Sequence, residues 1–261
     1  MEPIKLWENT PGSCEETPTV TLFIPKNKIS DSAIIIFPGG GYCCRAQHEG
    51  IKYAEFLAEN GFTAFVCDYR VYPHSFPLPL LDARRAVRWV RANAEKYGIN
   101  KNKIAVMGSS AGGHLAALVS TYTKPIDFEK QDGIDSEDFL PNATILCYPV
   151  VISPDAEGVS HKGSYDNLMG EKAAFANSKY LDPALNVTES TPTAFIWHTS
   201  EDNVVNVINS YKYASELRKH NIAHELHVLP HGGHGMGLAA EQPHVAQWSG
   251  LLLNWLRYTF D

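Results

Sequence analysis

Five residues, Gly108-Ser109-Ser110-Ala111-Gly112, place a hydroxyl among small neighbours between an apolar run at 103–107 and a helical pattern at 111–120. A strand-to-helix turn of the form G-x-S-x-G is so sharp that the residues beside the serine must be small. The serine is thrust outward, its hydroxyl exposed above the amino end of the helix. Ser110 is therefore the expected nucleophile, and Ser109 points elsewhere. A serine hydroxyl attacks a carbonyl only when a base takes its proton, and a carboxylate must hold that base in one tautomer.

After a serine on such a turn, the acid and then the histidine are expected downstream. The run 195–202 (FIWHTSED) puts Asp202 just past a strand end, ahead of a helical pattern starting near Val204. Glu201 is its neighbour and rival, and the spacing from the strand favours Asp202. An acid there could also serve simply as a helix cap. The base is expected after the next strand, where His231-Gly232-Gly233-His234-Gly235 occurs. His234, flanked by glycines that allow close approach, is preferred over His231. The H-x-x-H spacing also fits a metal pair, but such ligands belong on a helix, and no Cys, His or acid set completes a site. No metal is expected.

Negative charge builds on the carbonyl oxygen during attack, so donors must await it. Pro38-Gly39-Gly40-Gly41-Tyr42 follows the apolar run AIIIF, and glycines let backbone N–H groups face a substrate unobstructed. Gly40, Gly41 and the amide of Ala111 are the expected donors. A phosphate-cradling loop would need G-x-x-x-x-G-K-[ST] or G-x-G-x-x-G, and neither follows. Tyr42 and Trp197 are candidates for ligand contact, although aromatics near strand ends also build cores.

These residues need a scaffold that brings strand ends together. Apolar runs at 20–24, 33–37, 62–67, 103–107, 143–147, 193–199 and 223–229 read as strands. Helical patterns cover 47–60, 80–97, 111–120, about 204–219 and a final stretch in which Val245, Trp248, Leu252 and Trp255 share a face. Strands alternating with helices predict an α/β fold, a mostly parallel doubly wound sheet with helices on both faces. Ligands of such sheets bind beyond the carboxyl ends of the strands, where each motif above falls. The row Arg84, Arg88 and Arg91 reads as a solvated helix face. The polar, Gly- and Pro-rich stretch 153–191 is expected to fold over the site as a partial lid, and the first 18 residues to wrap the surface.

Length and composition bound the partners. One domain spanning 1–261 is expected. The formal net charge of −7, with no basic block, argues against a nucleic-acid or anionic-membrane partner. No apolar run reaches the roughly 18 residues of a spanning helix. Five cysteines without repeated spacing (Cys14, Cys43, Cys44, Cys67, Cys147) read as reduced thiols. Together with an amino terminus lacking a cationic, apolar leader, they point to the cytoplasm.

At this point the chain resembles the α/β-hydrolase superfamily, and within it the carbohydrate-esterase branch of acetylxylan and feruloyl esterase-like proteins. The resemblance rests on FPGGGY at 37–42, DYRVYP at 68–73, DARRAVRWVRANAEKYGI at 82–99, GSSAGGHLAA at 108–117, PTAFIWHTSEDNVV at 192–205 and HGGHGMGL at 231–238. DYR and the GSSAGGHL block also occur in hormone-sensitive-lipase-like esterases. Phe37-Pro38 stands where lipase-like relatives have His-Gly, and Asn206 where many relatives have proline. The resemblance implies a Ser110–Asp202–His234 triad with donors near Gly40, Gly41 and Ala111. It also implies hydrolysis of a small-molecule ester without a cofactor, with acetyl groups on the hydroxyls of short xylo-oligosaccharides as substrate. A general short-chain carboxylesterase, an oligopeptidase-type serine hydrolase and an inactive ligand-binding homologue are the competing readings.

Overall fold

The computed structural model describes residues 2–12, 16–154, 158–171 and 175–260. Strands β1 (Ile4–Lys5), β2 (Thr19–Phe23), β3 (Ala33–Phe37), β4 (Thr63–Asp68), β5 (Ile104–Ser109), β6 (Ala143–Cys147), β7 (Thr193–Thr199) and β8 (His224–Leu229) form a sheet in the order β1-β2-β4-β3-β5-β6-β7-β8. The pairs from β4 to β8 are parallel, whereas β1 and β2 add an antiparallel edge. Between the strands lie α1 (Ile51–Glu59), α2 (Leu78–Ala92), α3 (Ser110–Thr121), α4 (Lys162–Met169), α5 (Phe175–Ser178) and α6 (Ile208–Lys219), and α7 (Pro243–Phe260) closes the chain.

All five residues of β3 are buried because the sheet is covered on both sides. Side chains alternate across a strand, so Ile35 and Phe37 pack with residues of α2 and α3, and Ile34 and Ile36 with residues of α1 and α7. Parallel register sets Phe37 beside Gly108, Ser109 beside Cys147, Cys147 beside Trp197 and Thr199 beside Leu229. The carboxyl ends of five strands thereby share one edge. Among the described cysteines, Cys43 and Cys44 are exposed free thiols and Cys67 and Cys147 buried ones; Cys14 lies outside the described residues.

Several elements depart from their predicted bounds for local reasons. The helix expected over 47–60 breaks into a 3-10 turn at Gln47–Glu49 and then α1, because Gly50 leaves helical geometry with φ −108° and ψ −80°. The helix expected near Val204 begins at Ile208, since the preceding turn wraps around Asp202, which accepts the Val204 and Val205 amides at 2.9 Å each. The amino-terminal stretch does more than wrap the surface. Ile4 and Lys5 pair with β2, and Leu6 and Trp7 are buried.

The arginine row corrects the expectation of a solvated face. Arg84, Arg88 and Arg91 are buried, with Arg85 beside them. Residues 123–142, between α3 and β6, fold back over α2, and the guanidinium groups hold that excursion down. Arg84 reaches Glu129 at 2.7 Å and the Tyr122 carbonyl, and stacks over Phe139 at 3.9 Å. Arg85 meets Asp132 at 2.6 Å and Asp135 at 2.9 Å, while Arg88 donates to the Glu137 carbonyl at 3.0 Å and Arg91 to that of Leu140 at 3.0 Å. A segment poor in apolar side chains is thus anchored through its carbonyls and acids. Periodicity showed the arginines to be on one face but not that this face is covered.

Candidate active site

Ser110 stands at the joint of β5 and α3 with φ +54°, in the left-handed region that costs a non-glycine residue backbone strain. The turn tolerates this only because its flanks lack side chains. A Cβ at Gly108 would overlap the Gly112 carbonyl, and one at Gly112 would overlap the Phe37 carbonyl. The amide of Ala111 lies in the first turn of α3, where no preceding turn supplies an acceptor.

The structure brings Ser110, His234 and Asp202 together across 124 and 32 residues of chain. His234 Nε2 is 2.8 Å from Ser110 Oγ, and His234 Nδ1 is 2.7 Å from Asp202 Oδ2. With Nδ1–H donating to the carboxylate, Nε2 is free to accept the serine proton. Burial works against the charged form of Asp202. Hydrogen bonds from His198 and His234 and from the Val205 amide override it and hold the carboxyl well below its usual range. The negative charge that the imidazole needs is therefore present at neutral pH.

The glycine loop after β3 is fixed carbonyl by carbonyl. Tyr69, the middle residue of the DYR run, donates its hydroxyl to the Pro38 carbonyl at 2.6 Å. Ala46 N–H binds the Gly39 carbonyl at 2.9 Å, and Cys43 and Cys44 N–H bind the Gly40 carbonyl at 3.0 and 3.2 Å. Asn167 Nδ2 binds the Gly41 carbonyl at 2.8 Å. A trans peptide points its N–H opposite to its C=O. Anchoring the Gly39 and Gly40 carbonyls therefore turns the Gly40 and Gly41 amides to the other side, where no protein acceptor takes them among the described residues. Gly39 lies against the serine, because a Cβ there would stand 3.3 Å from Ser110 Cβ. Positive φ values of 121° at Gly40 and 62° at Gly41 make this path available to glycine.

Two predicted contact residues are corrected. Trp197 is fully buried and stacked on Trp248 at 4.7 Å, so neither ring face can meet a ligand. Tyr42 is buried as well, and its hydroxyl donates to His114 Nδ1 at 2.7 Å. Both aromatics belong to the support. The rival pair behaves differently from the chosen one: Glu201 and His231 bind each other at 2.9 Å on the surface.

Several residues at the site went unremarked in the sequence. His198 is buried, with Nε2 2.9 Å from the Val205 carbonyl and 3.2 Å from Asp202. It lies near the carboxyl end of β7, four residues before Asp202, and nothing in WHTSED marked it out. His114, in GSSAGGHL, donates from Nε2 to the Leu181 carbonyl at 2.9 Å; burial pushes it down to about 4, so it stays neutral. His161, half-buried before α4, holds Ser164 Oγ at 2.8 Å from its Nδ1, and burial first and the His234 charge second push it down. Glu49 and Tyr148 join the loops around the serine and carried no sequence signal. Among the described residues no group of three or more His, Cys, Asp or Glu could hold a metal ion.

A strained serine at a β5–α3 elbow, hydrogen-bonded to a histidine–aspartate pair that follows β8 and β7 of a mostly parallel sheet, defines an α/β-hydrolase fold. The BD-FAE family profile matches residues 20–217, and the chain belongs to that family. It is 33% identical over 237 residues to endo-1,4-beta-xylanase B of Butyrivibrio fibrisolvens, covering 89% of this chain and 36% of that protein. It is 35% identical over 246 residues to an acetylxylan esterase of Xylanibacter ruminicola, covering 90% of this chain and 47% of that one. The chain thus spans between a third and a half of the length of these two curated relatives. A solved acetyl ester-xyloside bifunctional hydrolase from Caldicellulosiruptor lactoaceticus superposes with a TM-score of 0.90 at 40% identity, covering 98% of this chain and 96% of that one. No helix among the described residues is long and apolar enough to cross a membrane.

Proposed function

We propose that the chain hydrolyses carboxylic esters through an acyl-enzyme on Ser110, with acetyl groups on sugar hydroxyls as its substrates. The observation that carries the chemistry is the unbroken line Asp202–His234–Ser110 at 2.7 and 2.8 Å, with Gly39 of the glycine loop packed against the serine. Ser110 Oγ attacks the acyl carbonyl while His234 Nε2 takes its proton. Asp202 stabilises the imidazolium, and the Gly40, Gly41 and Ala111 amides receive the oxyanion. Each such donor contributes about 2.7–4 kcal/mol to the transition state. His234 then protonates the departing alcohol oxygen. Water, deprotonated by the same imidazole, attacks the acyl-serine and releases the carboxylic acid and the free serine.

The sugar-acetyl reading draws support from the names of the relatives, an acetylxylan esterase and an acetyl ester-xyloside hydrolase. The segment expected as a partial lid contributes Asn167, which holds the Gly41 carbonyl of the glycine loop, and we assign residues 158–171 one wall of the substrate site.

Acetate release from a panel of acetylated xylosides and xylo-oligosaccharides, with acetyl to octanoyl p-nitrophenyl esters alongside, tests both parts. The expected result is acetate from the sugars, a steep fall from acetyl to octanoyl, and abolition of both by Ser110→Ala. Near-parental activity in Ser110→Ala removes the nucleophile assignment. A preference for octanoyl removes the sugar-acetyl substrate.

A further inference from the structure

Glu49 is a buried carboxylate that the serine chemistry does not use. It sits in the 3-10 turn Gln47–Glu49, which the chain interrupts a helix to make. Its Oε2 accepts the Gly39 amide at 3.0 Å, inside the glycine loop. Its Oε1 accepts the Tyr148 hydroxyl at 2.8 Å. The Tyr148 oxygen in turn accepts the Gly237 amide at 3.0 Å, just beyond His234, and the Tyr148 ring stands edge-on to the His234 ring at 5.1 Å. The neighbouring His48 donates from Nε2 to the Gly235 carbonyl at 2.9 Å. One short turn therefore grips two loops that are almost 200 residues apart in sequence.

We propose that Glu49 is a positioning residue for ester hydrolysis, clamping the loop that receives the oxyanion to the loop that carries the base. The inference rests on the serine mechanism above. Three physical points support it. Two acceptor oxygens of one ionised group can take an N–H and an O–H at once, and such bonds are stronger than neutral ones. Gly39 leaves room for the carboxylate only as glycine, because a Cβ there would overlap Oε2. Burial pushes the Glu49 carboxyl up, opposed by the Tyr148 hydroxyl, by His48 and His234 and by the Gly39 amide, so the buried position is sustained by the groups it holds. Burying an acid is costly unless its oxygens are hydrogen-bonded, and the bonds that satisfy Glu49 also fix a geometry. Here that geometry is the distance between oxyanion donors and imidazole, where an error of about 1 Å costs on the order of 100-fold in rate.

The test compares Glu49→Gln, Glu49→Leu and Tyr148→Phe in acetyl-ester hydrolysis, with Ser110→Ala in the same assay and rates normalised to folded protein by near-ultraviolet circular dichroism. Gln keeps an oxygen for Gly39 and can donate its amide to the Tyr148 oxygen. Leu removes both partners. Glu49→Leu is expected to lower kcat about 100-fold with KM within about threefold. Glu49→Gln recovers most of that loss, and Tyr148→Phe falls between the two. The double variant Glu49→Gln/Tyr148→Phe loses less than the product of the single losses, because both act through one bridge. Should Glu49→Leu fail to fold, the near-isosteric Glu49→Gln and Tyr148→Phe decide the matter. Parental kcat in both, or a loss confined to KM or thermal stability, overturns the proposal. Ser110→Ala separates the two levels: if it is dead while the Glu49 variants are parental, only the clamp fails, and if it is active the serine mechanism itself fails.

Discussion

Two histidine–carboxylate pairs lie on the same pair of loops, built from adjacent acids in one motif and from histidines three residues apart in the other. His234 and Asp202 meet at 2.7 Å with side chains 16% and 0% exposed, whereas His231 and Glu201 meet at 2.9 Å with side chains 77% and 60% exposed. Bond length hardly distinguishes them. What differs is what stands behind each carboxylate and in front of each imidazole. Asp202 receives the Val204 and Val205 amides and lies 3.2 Å from His198, and His234 faces Ser110. Glu201 and His231 stand largely in solvent. A charge pair becomes catalytic equipment when burial strengthens its field and a fixed neighbour receives its effect; in water the same pair is screened.

The sharpest way to break this comparison is to neutralise each acid in turn. Asp202→Asn removes the charge that favours the imidazolium and offers His234 an amide in place of a full acceptor. The expected loss of kcat is about 10⁴-fold. Glu201→Gln is expected to leave kcat within about twofold, as surface substitutions away from a site do. Steady-state hydrolysis of a short acyl ester measures both. Comparable losses in the two variants would erase the distinction drawn from burial.

A smaller effect sharpens the comparison through pH. The Asp202 carboxyl is held below its usual range in the fold, while in the unfolded chain it titrates near 3.9. Around that pH the unfolded state binds more protons, so stability from this group is fully present above it and is lost as pH falls toward the folded value. Urea unfolding from neutral pH to about pH 3 should show wild type exceeding Asp202→Asn by about 2 kcal/mol at neutral pH, the gap narrowing below about pH 4. Glu201 is also held down by its hydrogen bond to His231, but its side chain is mostly exposed. Its variant should show no comparable gap, and any trace should vanish at about 0.5 M salt. A gap for Asp202→Asn that widens on acidification would contradict the sign.

The same contrast between local signal and surroundings explains how much could be read beforehand. The strands from β2 onward and the elbow at Ser110 were legible because a doubly covered strand must be apolar and a strand-to-helix turn must be small. The proposed partner Asp202 could be chosen over Glu201 from its spacing to the strand end, and His234 over His231 from the glycines that flank it. Trp197, a candidate from its place near a strand end, and the arginine row, read from periodicity, turned on one shared fact. Local sequence reports position and face, and what covers that face is a long-range fact. Trp248 covers Trp197, and residues 123–142 cover Arg84, Arg88 and Arg91. Glu49 was illegible for the complementary reason: a lone acid in a polar stretch resembles any surface glutamate until Gly39 and Tyr148 are seen to close on it.

The smallest expected effect bears on how rigidly the two histidines of H-x-x-H are told apart. The Gly232 carbonyl is held by Thr199 Oγ1 at 2.9 Å and the Gly235 carbonyl by His48 Nε2 at 2.9 Å. His234 lies between these anchors, and His231 precedes the first, so the backbone around His234 is pinned on both sides while His231 lies outside them, bonded only to the exposed Glu201 side chain among the described residues. His231→Ala should therefore leave kcat within about twofold and unfolding within about 0.5 kcal/mol of wild type. Thr199→Val, which releases the first anchor, should cost activity by letting the His234 segment drift. The informative experiment is His231→Ala in the Thr199→Val background. If the anchors alone discriminate the histidines, the second substitution costs nothing further; if His231 substitutes for a displaced His234, activity falls again, and the division between the two pairs is a matter of loop position rather than of the pairs themselves.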